Sequence, residues 1–119
     1  MRPHQKLAAW SKGVDLVIDL YKATDRFPKE ERFGLTSQIR RAAVSASNLA
    51  EGAGRHSRKE FGHPISNAQG SASELETELI IAYRLGFLSE TAFAELMAKL
   101  ERIGRLITGL SRQIREATV

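Results

Sequence analysis

The stretch that decides the fold covers residues 93–114 and reads FAELMAKLERIGRLITGLSRQI. Its large apolar side chains alternate spacings of three and four residues, which is the repeat of one face of an α-helix. They are Phe93, Leu96, Leu100, Ile103, Ile107, Leu110 and Ile114. Ser89 precedes the stretch as a candidate N-cap, so we predict a helix over residues 90–115.

Three further segments, residues 7–25, 35–53 and 58–85, carry apolar side chains at the same spacing, so each is predicted to be a helix. The first is expected to end before Pro28, because the residue ahead of a proline avoids the helical conformation. The second is lined mainly by small side chains, which let neighbouring helices approach closely. The third begins with the capping-box pattern of residues 57–60. On the first helix, the predicted apolar face consists of Trp10, Val14, Val17, Ile18 and Tyr21.

Signals for β-strands are nearly missing, since the chain has neither sustained polar–apolar alternation nor an Asn-Gly or Asp-Gly turn. We therefore predict an all-α protein, one domain over residues 1–119, folded as an antiparallel up-down-up-down four-helix bundle. Pro64 lies inside the third helix beyond its first turn, where it removes a hydrogen-bond donor and crowds the preceding turn. There we expect a kink over residues 62–64 or a helix that restarts.

Composition and charge exclude several classes of protein. The 119 residues contain no cysteine, which excludes disulfides, thiolate metal sites and cysteine nucleophiles. No apolar run approaches the roughly 20 residues that a membrane-spanning helix needs, and no secretory signal is recognisable, so we expect a cytoplasmic protein without membrane contact. The 18 Lys and Arg and the 14 Asp and Glu give a net charge of +4, which favours anionic partners.

Basic side chains are concentrated between residues 40 and 59. Arginine and lysine attract the phosphates of nucleic acids through the release of counterions, and the N-terminus of the third helix adds amide groups and a favourable dipole. No aromatic side chain interleaves with this cluster, so sequence-specific reading of single strands is disfavoured. The alternative is a solvated basic turn without a ligand. The predicted contacts to RNA or DNA phosphates are Arg40, Arg41, Arg55, Arg58 and Lys59.

Signals for catalysis or metal binding are poor. His56, Glu60 and His63 are spaced for one helical face, as in some metal sites. His56, however, precedes the predicted helix, and Pro64 distorts the turn that follows, so solvated polar residues are the favoured interpretation. No serine has a histidine and an acid at a recognisable spacing. We therefore predict no enzyme, no catalytic residue, no metal and no cofactor.

One ion pair is predicted between the second and third helices. Arg41 lies on the second helix, and Glu74 and Glu78 lie on the third, which is expected to run antiparallel to it. We hypothesise that Arg41 pairs with Glu74 or Glu78 inside the bundle or at its seam. Such a pair fixes the register of two helices more than it adds stability.

Together, these motifs resemble a known family over residues 7–114. The similarity is carried by QIRRAAVS at residues 38–45, NLAEG at 48–52, SRKEF at 57–61, AQGS at 68–71 and ELET at 74–77. The sequence is similar to the "four helix bundle protein" family, also called the ribosomal RNA intervening-sequence protein family. It departs from the family pattern at residues 62–64, where an apolar helical turn is usual.

The resemblance implies a small cytoplasmic bacterial four-helix bundle that assembles as a homopentamer and has no assigned activity. A distantly related branch of the family serves as the accessory protein of diversity-generating retroelements, where it binds a reverse transcriptase and nucleic acid through a basic surface. The second helix has two faces with regularly spaced side chains, and the fourth helix is apolar beyond the face that the bundle core needs. These extra faces independently favour an oligomer. We therefore predict a non-enzymatic oligomeric bundle that binds nucleic acid. The alternative is a protein-interaction scaffold or accessory subunit without nucleic-acid contact.

The positions that match the family signature are expected to have mainly structural roles. The resemblance implies that Gly70 and Ser71 allow close helix approach, and that Asn48 and Glu51 satisfy buried donors. The signature positions are Arg40, Arg41, Ser45, Asn48, Glu51, Gly52, Arg55, Gly70, Ser71 and Glu74.

Overall fold

The computed structural model describes residues 3–47 and 58–117, and over these ranges the chain contains α-helices and no strand. The helices are α1 (Pro3–Thr24), α2 (Leu35–Ser47), α3 (Arg58–Arg84) and α4 (Glu90–Ala117). A short 3-10 helix, Lys29–Glu31, lies between α1 and α2. The prediction of an all-α protein with four helices is therefore confirmed.

The connection between α3 and α4 shows how local sequence ends one helix and starts the next. Gly86 adopts a φ of +83°, a left-handed conformation that favours glycine. The amide of Phe87 donates to the carbonyl of Ala82 over 2.9 Å, which closes the C-terminus of α3 in a Schellman motif. Ser89 then accepts a hydrogen bond from the amide of Ala92 over 3.1 Å, as its predicted role as N-cap of α4 requires.

Pro64 does not divide α3. The helix runs without interruption over Arg58–Arg84, so the expectation that it restarts near residues 62–64 was wrong. The proline removes one backbone hydrogen bond, whereas the later turns of this long helix are fixed by packing against α2 and α4. The predicted end of the second helix, residues 48–53, and the capping residue Ser57 lie outside the described residues.

The core is a single cluster of aliphatic side chains contributed by all four helices. Both α1 and α3 pack against α2 and against α4, so the cluster lies between these pairs. Each fully buried leucine or isoleucine stabilises the folded state by about 2 kcal/mol. The buried leucines and isoleucines are Leu16, Leu20, Leu35, Ile39, Leu75, Leu79, Leu88, Leu96, Leu100, Ile103 and Ile107.

The apolar face predicted for α1 was partly wrong. The structure buries Leu16 and Leu20, whereas Ile18 and Tyr21 of the predicted face are more than 40% exposed. Gly13 lies on the buried side of α1, and its lack of a side chain lets α1 approach α2 closely at Ser47. Relative to the prediction, α1 is therefore rotated about its axis, and the ring of Tyr21 lies at the surface.

Candidate functional site

Arg40 of α2 joins that helix to the C-terminal end of α1. Its Nε donates a hydrogen bond to Oγ1 of the buried Thr24 over 2.9 Å, and its Nη2 donates to the carbonyl oxygen of Tyr21 over 3.2 Å. The guanidinium carbon lies 4.5 Å from the centroid of the Tyr21 ring. A cation at this position also complements the negative end of the α1 dipole. Arg40 therefore has a fixed place at the rim of the α1–α2 interface.

Thr24 is arranged to receive this arginine. Its hydroxyl donates to the carbonyl oxygen of Leu20 over 2.7 Å, one helical turn earlier. With its proton used in this way, the hydroxyl oxygen accepts from Arg40. The side chain thus satisfies its hydrogen-bonding capacity although it is buried.

An open depression lies over α1, α2 and the segment that joins them. Its volume is about 550 Å³, and its described lining contains three arginines and no carboxylate. We call it the arginine–aromatic groove, after the side chains that define it: Tyr21, Arg32, Phe33, Arg40, Arg41 and Val44. Three guanidinium groups with no carboxylate among the described lining residues make this groove attractive to anions.

The joining segment places Arg32 and Phe33 at the edge of the groove. The 3-10 helix is closed by a bond from the amide of Arg32 to the carbonyl of Lys29 over 3.1 Å. The carboxylate of Glu31 then accepts from the amide of Leu35 over 3.2 Å and so caps the start of α2. Phe33, between these two anchored points, is 89% exposed. The guanidinium carbon of Arg32 lies 5.4 Å from the centroid of its ring.

The seam between α2 and α3 contains a buried acid. Glu78 is only 5% exposed, and its Oε1 has no hydrogen-bond partner among the described residues. Burial and the neighbouring carboxylate of Glu74 raise the pKa of Glu78 to about 7, while the positive charge of Arg41 opposes this rise. Nearby, the hydroxyl of Ser71 donates to that of Ser45 over 2.8 Å and joins the same two helices.

The predicted ion pair of Arg41 with Glu74 or Glu78 was wrong. No such pair within 4.0 Å occurs between these described residues, and Arg41 instead has an exposed side chain that lines the groove. The two glutamates, one turn apart on α3, interact with each other. A long arginine on the outer face of α2 gains more from solvation than from entering a buried seam.

The structure brings together two of the five predicted phosphate contacts. Arg40 and Arg41 both line the arginine–aromatic groove. Arg58 and Lys59 open α3, where the structure describes the backbone but not these side chains, and Arg55 lies outside the described residues.

Sequence reasoning missed Arg32, Phe33 and Tyr21 as lining residues of the groove. One signal was present in the sequence, because Phe33 stands beside Arg32 in an otherwise polar linker. A large aromatic residue in such a place is not required by either flanking helix.

The family-signature residues have different surroundings. Ser45 and Ser71 meet across the α2–α3 seam, in agreement with close helix approach at Ser71. At Gly70, a Cβ would meet no atom within 4 Å among the described residues, so that part of the chain shows no close approach there. Gly70 is exposed on α3, whereas the next residue, Ser71, lies in the seam between α2 and α3. Asn48, Glu51 and Gly52 lie outside the described residues.

Metal-binding clusters and membrane-spanning helices are both absent from the described part of the chain. It contains no group of three or more His, Asp or Glu side chains able to hold a metal ion. The side chains of His56, Glu60 and His63, the set considered from the sequence, are not among those described. None of the described helices combines the length and apolar character needed to cross a membrane.

Fold and groove together define a small all-α bundle with a cationic surface site. The chain belongs to the 23S rRNA-intervening sequence protein family, whose model matches residues 5–109. A crystal structure of a protein of unknown function from the S23 ribosomal protein family of Bacteroides thetaiotaomicron has the same fold, with a TM-score of 0.82. The two sequences are 16% identical, and the match covers 91% of this chain and 98% of that chain. No curated protein matches the sequence.

Proposed function

We propose that this protein is a non-enzymatic helical bundle that binds RNA or DNA through phosphate contacts at the arginine–aromatic groove. The observation that carries the proposal is the convergence of Arg32, Arg40 and Arg41 on one groove whose described lining contains no carboxylate. Guanidinium groups match the geometry of phosphate oxygens and stay charged at every physiological pH. Arg55, Arg58 and Lys59 extend the proposed contacts, as the sequence predicts.

The charge distribution along the chain supports this proposal. Residues 1–60 contain 12 of the 18 basic residues but only 7 of the 14 acidic ones. Most of this excess lies in residues 1–47, which contain nine basic and five acidic residues and include α1, the joining segment and α2. A field of this sign concentrates polyanions near the groove before any specific contact forms. A bacterial cytoplasm, where RNA is abundant, is the compartment that we propose.

The salt dependence of binding tests the proposal. Three phosphate contacts to a duplex predict that affinity falls about 40-fold between 50 and 200 mM salt, because counterions are released on binding. Filter binding of a labelled 30-nucleotide RNA and of a DNA duplex, each at both salt concentrations, measures this fall. An affinity that does not change with salt would contradict electrostatic binding.

We also propose that the chain assembles with itself, and that the homopentamer implied by the family resemblance is the assembled form. Ile81 in the last turn of α3 and Leu85 directly after that helix support self-association, because they lie four residues apart and are 44% and 57% exposed. Light scattering would show several times the chain mass of 13.2 kDa. A monomer mass would overturn this part of the proposal. A protein-interaction scaffold without nucleic-acid contact would instead retain its partner after nuclease treatment.

A further inference from the structure

Phe33 is the most exposed of the large apolar side chains in the described part of the chain. At 89% exposure its ring is almost entirely in water, so packing within the chain does not account for a phenylalanine at this position. The ring shares the arginine–aromatic groove with Tyr21 and Val44, which are also exposed. The groove therefore offers apolar and aromatic surface beside its three positive charges.

Two arginines of this groove each lie beside one of its aromatic rings. Arg32 lies 5.4 Å from the centroid of Phe33, and Arg40 lies 4.5 Å from the centroid of Tyr21. Arg41 adds an exposed charge on the α2 side. The linear sequence concealed part of this arrangement, because Tyr21 reaches Arg40 of α2 only when α1 folds against that helix.

We infer that the arginine–aromatic groove binds a single strand of RNA or DNA, with an unpaired base stacked on Phe33 and the flanking phosphates held by Arg32 and Arg41. The inference rests on the proposed function and specifies its ligand. Every unpaired base has a free π-face for an aromatic side chain, whereas a duplex keeps its base faces within its own stack. A groove that bound duplex phosphates alone would gain nothing from an exposed phenylalanine.

A second copy of this chain is a less suitable occupant for the groove. A two-fold dimer through the groove would set its three arginines against the same three of the second copy, and repulsion between like charges opposes this. In the proposed ring of five, each interface joins two different patches, and the exposed Ile81 and Leu85 offer apolar surface for it outside the groove. The charge of the groove instead matches a polyanion.

The experiment compares three labelled ligands by fluorescence anisotropy at constant salt. They are a 12-nucleotide oligouridine, an abasic strand with the same number of phosphates, and a 12-base-pair duplex. We expect the wild-type protein to bind the oligouridine more tightly than either of the other two. Phe33→Ala should weaken oligouridine binding about tenfold, the loss of one stacked base, and leave abasic-strand binding unchanged.

Ile18→Ala is the matched control, because it also removes an exposed apolar side chain, but one on α1 outside the groove. It should leave the affinity for oligouridine unchanged. Thermal melting followed by circular dichroism should show that both variants fold like the wild type.

The possible failures are distinguishable. If Phe33→Ala binds oligouridine as the wild type does while affinity still falls with salt, base stacking is refuted and the proposed function stands. If none of the three ligands binds, the proposed function fails together with the inference. If Phe33→Ala changes the mass found by light scattering but not the affinity, Phe33 serves self-association and the inference is overturned.

Discussion

Gly13 of α1 and Ser47 of α2 lie in close contact. A Cβ placed on Gly13 would lie 2.9 Å from the Cβ of Ser47 and 3.2 Å from its Cα. At the other end of the contact, Thr24 of α1 accepts from Arg40 of α2. The two helices therefore run in opposite directions, and the side chain that residue 13 lacks sets the distance between them.

Gly13→Ala should lower the free energy of unfolding by about 1–3 kcal/mol, because the new methyl group overlaps the Cα and Cβ of Ser47 and the helices must move apart. Gly70→Ala is the matched control on α3. A Cβ there meets no described atom, and alanine is the better helix former, so stability should rise by about 0.5–1 kcal/mol. Urea denaturation measures both changes. Equal effects of the two substitutions would contradict close packing at Gly13.

Arg40→Lys should lower the free energy of unfolding by about 1–2 kcal/mol although it keeps the charge. Lysine has neither the Nε donor that binds Thr24 nor the flat group that covers the ring of Tyr21. Arg32→Lys, at an exposed position of the joining segment, is the control and should change stability by less than about 0.5 kcal/mol. Chemical denaturation of the two variants under one set of conditions checks the difference. If Arg40→Lys left the free energy of unfolding unchanged, the contacts of Arg40 with α1 would add no stability.

The spacing of apolar residues was enough to predict the four helices, because burial selects residues three and four apart whatever the neighbouring helix is. The rotation of α1 was harder to predict. That helix carries two apolar stripes, and the fit of Gly13 against Ser47 decides which one faces the core. The buried Leu16 and Leu20 belong to the stripe that the sequence interpretation passed over.

The candidate site was only partly predictable for a related reason. Arg40 and Arg41 are adjacent in sequence, but they have different surroundings, since one contacts α1 and the other faces solvent. Nothing in the local pattern separates them. Arg32 and Phe33 enter the groove through the geometry of the joining segment, which depends on the capping of α2 by Glu31. Contacts of this kind arise from tertiary packing, and helical periodicity does not report them.

The stability of the protein should fall as the pH rises from about 4.5 to about 7, because Glu78 is buried. Its pKa is raised from the ordinary value of 4.5 to about 7, so the folded state holds a proton that the unfolded chain releases. The stability that this proton supplies is complete below pH 4.5 and is lost as the pH passes 7. We expect a loss on the order of 3 kcal/mol, the linkage value of this shift in pKa.

Glu78→Gln isolates this effect, because glutamine resembles the protonated acid at every pH. The variant should be more stable than the wild type at pH 8 and should lose most of the dependence on pH between 5 and 8. Glu76→Gln, an exposed position on the same helix, is the control and should keep the wild-type dependence. Urea midpoints at pH 5 and pH 8 test the expectation. If the stability of Glu78→Gln changed with pH as much as that of the wild type, other groups would cause the pH dependence.

Arg41→Gln should weaken nucleic-acid binding without changing the fold, because this arginine is exposed and makes no ion pair with Glu74 or Glu78. Loss of one phosphate contact lowers the slope of log affinity against log salt by about one, and the effect should be similar for all sequences tested. Arg105→Gln removes the same charge from an exposed position on α4, outside the groove, and should leave the slope unchanged. Binding of each variant to one RNA at four salt concentrations gives both slopes. If the two variants lose affinity equally, net charge attracts the nucleic acid and the groove has no special part in binding.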